Sequence, residues 1–201
     1  MSAEQLLMAG LATHPGELFN QILPYALLAA LLVALLYLLY AARVRRPRDR
    51  SRWNPWEIFI YGMMLLSVVM LAATSFYPAV RNEPLKGWTL FTHMIWAGFF
   101  VFLLPALALT WCEASRFEVT GDSTGARQGA PRFYWLPKVM FWILLASGLV
   151  VSMTMLISMT TLFDTRGLLN MLDLHRYSGL VVVIAMLLHL SGVLVQRLGW
   201  R

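Results

Sequence analysis

Five separate runs of roughly 20 apolar residues, each long enough to cross a bilayer, decide what this chain can fold into. They cover residues 22–42, 56–77, 90–111, 135–163 and 172–195. Hydrocarbon offers backbone N–H and C=O groups no partner, so each run must satisfy its own and is predicted to be an α-helix. The first run is nearly pure Leu and Ala. Pro78, Pro84 and the stretch 121–131 interrupt the pattern between runs. Trp53, Trp56, Trp88, Trp111, Trp135 and Trp200 fall near run ends, where an amphipathic ring prefers the headgroup layer. Composition agrees. Only 13% of the residues are charged, against roughly a quarter in a soluble domain. The expected fold class is therefore all-α, an integral membrane bundle of about five transmembrane helices in contact with membrane lipid.

The net charge of +6 does not point to nucleic acid, because the basic residues cluster between the apolar runs. Arg43, Arg45, Arg46, Arg48, Arg50 and Arg52 follow the first run; Arg116, Arg127, Arg132 and Lys138 follow the third; Arg197 and Arg201 close the chain. These 12 share one side, and only Arg81, Lys86, Arg166 and Arg176, a total of 4, lie on the other. Twelve against four predicts that the basic side is cytoplasmic, with the N-terminus outside and the C-terminus in the cytoplasm. The first 21 residues show no basic n-region and no small-residue cleavage site, so no cleaved signal peptide is expected. The longest loop, 112–134, is too short to fold alone, and no soluble domain is expected.

The single cysteine, Cys112, excludes an internal disulfide, a CxxCH haem attachment and a four-thiolate iron–sulfur cluster. A redox centre would need other ligands, and histidine is the available one. His14 lies in the N-terminal segment and is read as a solvent or interface residue. The other three lie within runs, where an ionisable side chain is a functional candidate. His175 and His189 are 14 residues apart, which on a helix is about 40° short of four turns and about 21 Å of rise. They project from nearly one face, one near each side of the bilayer. His93 opens the third run and His175 the fifth, both from the outer side, so the two sit at similar depth on different helices. One iron with two axial imidazoles needs that placement. Ala97 and Gly98 follow His93, and Gly179 lies one turn after His175; a missing side chain admits a flat macrocycle. A lone intramembrane histidine more often hydrogen-bonds between helices. A matched pair favours haem, and with no carboxylates nearby a bare metal ion is disfavoured.

His189 has no histidine opposite it. Tyr61 should reach a similar depth, where its phenol could bond His189 or line a quinone pocket; Met63 and Met64 are nearby. Asp173 is expected to cap the start of the fifth helix, or else to hold the His175 ring. Arg176 is a candidate partner for a haem propionate, or an interfacial anchor.

Residues 53–195 resemble the gamma-type cytochrome b subunits of membrane-bound formate dehydrogenases and nickel–iron hydrogenases. Four pieces in order carry the resemblance. They are Arg52-Trp53-Asn54-Pro55-Trp56-Glu57-Ile58-Phe59-Ile60-Tyr61; His93 with its small neighbours; Lys138-Val139-Met140-Phe141-Trp142, similar to a K-x-x-F-W motif; and His175-x3-Gly179 followed by His189. The resemblance implies a four-helix cytochrome b core over 53–201, preceded by an N-terminal segment, extra helix and basic loop over 1–52. It implies haem b on His93 and His175. It also implies a second haem on His189 and a histidine four residues after Glu57, but that position is Tyr61. One haem is therefore expected, with a second only if His189 is held in an unusual way. The family's quinone site would bring Tyr61, His189 and Glu57 together. The implied setting is the bacterial inner membrane. There the chain would relay electrons between the quinone pool and an outer iron–sulfur or multihaem subunit with its catalytic subunit, doing no substrate chemistry itself. The alternative is a haem-depleted structural anchor, favoured by the loss at Tyr61. A transporter is disfavoured, since the runs contain few carboxylates and no broken-helix pair.

Overall fold

The computed structural model describes residues 16–43, 53–117 and 134–198. His14, the arginines from Arg45 to Arg52, Arg127, Arg132, Trp200 and Arg201 lie outside the described residues. So does most of the loop between the third and fourth runs. The described chain forms five helices: α1 Glu17–Arg43, α2 Pro55–Val80, α3 Gly87–Trp111, α4 Trp135–Ser158 and α5 Thr165–Leu198. No strand occurs among the described residues. All five are long and apolar enough to cross a membrane, so the all-α, multi-pass expectation holds. Below, the basic end is the end where α2 and α4 begin, and the far end is where α3 and α5 begin.

Local chemistry sets the boundaries. Asn54 opens α2 with a capping box: its side chain accepts from the Trp56 N–H, and the Glu57 carboxylate accepts from the Asn54 N–H at 2.8 Å. Pro55 occupies the first turn, where its missing N–H costs nothing. Pro78 does not separate two runs as expected; it lies inside the last turn of α2, and its carbonyl accepts from the N–H groups of Arg81 and Glu83. The fourth helix stops at Ser158, short of 163, because the Met159 and Thr160 N–H groups bond back only three residues and close the turn. The fifth begins at Thr165, seven residues before the apolar run. There the Asp164 carboxylate accepts from the Gly167 N–H at 2.8 Å and caps the new helix. Asp173 is therefore an interior helical residue and not a cap.

α2, α3, α4 and α5 form a ring in which each packs on the next, with the broadest interface between α4 and α5 and the lightest between α3 and α4. α3 and α5 stand diagonally, with no pair of their Cα atoms within 8 Å among the described residues. α1 lies outside the ring against α5 and α2. Its buried stripe is Phe19, Leu23, Ala30, Ala34 and Ala41, alternating four and seven residues apart on one helical face. Leu28, Leu31, Leu35 and Leu39 point outward and are exposed, as expected where lipid is the solvent. Two glycines bring ring helices close. A Cβ on Gly148 would meet Leu104 and Phe100 of α3, and one on Gly192 would meet the Pro137 ring of α4 at 2.6 Å.

Candidate functional site

His93 belongs to a stripe on α3 that continues through Phe100, Leu104, Leu107 and Trp111, all buried. That stripe faces the bundle. The His93 ring is held from the neighbouring helix α2: Nδ1 lies 3.0 Å from Thr74 Oγ1 and 3.1 Å from Ser75 Oγ. His175 on α5 is held in the same manner from its own neighbour, α4. Its Nδ1 lies 3.1 Å from Thr154 Oγ1 and 3.1 Å from the Val151 carbonyl. Each ring is thus braced through Nδ1 by an adjacent helix, and these hydrogen bonds do not engage Nε2. Neighbouring helix axes are about 8–10 Å apart, so a diagonal is roughly 11–14 Å. The structure puts His93 and His175 on diagonally opposed helices of the ring.

The hydroxyls were missed. Thr74, Ser75 and Thr154 look in sequence like polar residues that bond back to their own helix, and Thr74 and Thr154 do so as well. The signal that could have found them is depth: each lies one to two turns from the far end of its helix, level with the histidines. Asp173, the expected holder of the second His175 nitrogen, instead pairs with Arg176 at 3.0 Å. Arg176 also packs on the start of α1, where a Cβ on Gly16 would clash with its guanidinium and φ is +95°. Glycine is required at that position on both counts. Gly98 faces open space, and Gly179 sits in ordinary contact with Val151.

The basic-end half is different. His189 is 2% exposed and donates through Nδ1 to the Pro137 carbonyl at 2.8 Å, tying α5 to α4. Its ring lies between Tyr61, with centroids 5.9 Å apart, and Phe141, at 6.2 Å. Trp53 packs on Tyr61 and Trp111, and the Arg197 guanidinium covers the Trp53 ring. Met64, Leu107, Leu144 and Met186 are buried in the same core. Tyr61 Oη is buried with no hydrogen-bond partner among the described residues. Tyr61 and His189 do meet as expected, but Glu57 is engaged in the α2 cap and does not join them. A polar crevice of about 370 Å³ at the far end, lined by Glu17, Asn20 and Asn82, involves none of the predicted site residues.

No family model, curated protein or solved structure matches the chain. The donor set must speak for itself. Among the described residues no three His, Cys, Asp or Glu side chains gather to hold a bare metal ion. Two imidazoles without further His, Cys, Asp or Glu ligands suit a cofactor that supplies its own remaining ligands, as haem does.

Proposed function

We propose that this chain is a membrane-embedded electron-transfer subunit of a quinone-linked respiratory oxidoreductase, holding one haem b between His93 and His175. One observation carries the reading: two imidazoles on diagonally opposed helices, each braced at Nδ1 by a different neighbour. Held there by His93 and His175, haem b would supply one-electron transfer. The chain does the rest. The braced rings need little rearrangement when charge changes. Arg176 sits next to His175 in the chain, and its ion pair is part-exposed and weak enough to exchange for a propionate.

The proposed membrane is the bacterial inner membrane with the basic end cytoplasmic, which places the His93–His175 pair toward the outer side. An iron–sulfur or multihaem subunit and its catalytic partner would dock there. Quinone exchange belongs to the same half, because Tyr61, His189 and the rings around them fill the other. That filling also favours the second reading, an anchor that has lost its haem. A reduced-minus-oxidised spectrum of the purified chain decides between them. An α band of haem b, with about one haem per chain and none in His93→Ala or His175→Ala, supports the carrier. A flat spectrum, or full haem in both variants, refutes it.

A further inference from the structure

The two braces share a detail that the ligand assignment alone does not require. A threonine hydroxyl has one proton. Thr74 Oγ1 lies 2.7 Å from the Met70 carbonyl and 3.2 Å from the Leu71 carbonyl, and Thr154 Oγ1 lies 2.8 Å from the Val151 carbonyl, acceptors that draw each hydroxyl proton toward its own helix. Each hydroxyl therefore turns a lone pair toward the adjacent histidine, 3.0 Å away for His93 and 3.1 Å for His175. A lone pair at that distance demands an N–H, so Nδ1 must carry the ring proton. On His175 the Val151 carbonyl, 3.1 Å from Nδ1, makes the same demand. With Nδ1 protonated, a neutral ring has its free lone pair on Nε2, the nitrogen that the braces do not engage.

We infer that Thr74 and Thr154 are positioning residues that lock His93 and His175 in the Nδ1–H tautomer, presenting two Nε2 lone pairs to one metal centre. Thr74 decides the outcome at His93. Ser75 can donate or accept at 3.1 Å, and left alone with the ring it would donate, moving the ring proton to Nε2 and blocking ligation. His175 keeps the Val151 carbonyl as a second acceptor, so its tautomer is the less sensitive of the two.

The inference rests on the haem reading, and two measurements on the full-length chain in detergent separate them. One is ¹⁵N NMR of labelled histidine without cofactor, which reports the tautomer directly. The other is titration with haemin. Thr74→Val should convert His93 to the Nε2–H form and weaken haemin binding roughly tenfold, the lower end of the usual cost of losing an outer-shell partner. Thr74→Ser should restore both, and Ser75→Ala should have a smaller effect than Thr74→Val on each. Thr154→Val should leave the His175 tautomer in place while shifting the midpoint potential of the bound haem upward, since a lost acceptor makes the imidazole a poorer donor to ferric iron. If Thr74→Val keeps the Nδ1–H signature, or Ser75→Ala has the larger effect, the positioning role is overturned and haem binding stands. If the tautomers respond but the parent chain takes up no haemin, positioning stands and the carrier reading falls. Should Thr74→Val not fold, the Ser75→Ala and Thr154→Val outcomes still decide.

Discussion

Replacing Gly192 by Ala tests the most demanding contact in the bundle. The new methyl carbon would lie 2.6 Å from Pro137 Cγ and 2.8 Å from Cδ. Carbon atoms rest at about 3.5–4.0 Å, so α4 and α5 must separate by roughly 1 Å. A flexible side chain could swing aside, but a proline ring fused to the helix backbone cannot. Overpacking of this sort costs about 1–3 kcal/mol. The same separation stretches the bond from His189 Nδ1 to the Pro137 carbonyl, now 2.8 Å, beyond hydrogen-bonding range. That adds about 0.5–1.5 kcal/mol. The sum is about 1.5–4.5 kcal/mol, or at least about tenfold in the folding equilibrium. Reversible denaturation in mixed detergent micelles would read it. Two internal controls belong in the same experiment. Gly148→Ala presses on the ends of Leu104 and Phe100, which can rotate, and should cost less. Gly62→Ala meets nothing within 4 Å and should be neutral or stabilise by up to about 1 kcal/mol through helix propensity. If Gly192→Ala proves as stable as Gly62→Ala, the close approach of α4 and α5 at this point is wrong.

Three further substitutions probe the roles assigned above. Tyr61→Phe removes a buried hydroxyl with no partner among the described residues and should be neutral or stabilising by up to about 1 kcal/mol in the same unfolding assay; a loss above that would mean that the hydroxyl is satisfied. His189→Ala should cost about 2–4 kcal/mol from the lost tie and the cavity left behind, yet leave haem per chain unchanged; loss of haem would make His189 a ligand. Asn54→Ala removes half of the capping box and should cost about 1 kcal/mol, read as a lower midpoint with no change in the haem spectrum.

The helices were legible because lipid enforces a simple code, in which length and apolarity alone declare a span. Their ends were not, since ends are set by single hydrogen bonds. Asp164 extends α5 back over Thr165–Met171, residues not counted in the span but sound as a helix once capped. The helices that carry the histidines were legible from the order of the apolar runs, His93 on α3 and His175 on α5. The braces were not, because a lateral neighbour is a matter of rotation about each helix axis. Hydropathy in a nearly all-apolar helix says little about rotation. Asp173 looked the better partner for His175 because it is two residues away and charged; on a helix that spacing points it to another face, where Arg176 takes it.

His175 and His189 make the same argument within one helix. They are the same residue type, 14 positions apart and nearly in line, and α4 braces the Nδ1 of both. What differs is how closely α4 approaches. At the basic end Gly192 lets the Pro137 ring press on the α5 backbone, and the aromatic rings of α2 and α4 close over His189. At the far end Gly179 meets α4 only through Val151 at an ordinary 3.8 Å. A histidine beside the tight crossing becomes a strut. One beside the looser stretch is tied to α4 yet stays part-exposed. The distribution of close contacts along a single helix pair therefore separates a histidine enclosed by the bundle from one that the same helix braces without enclosing.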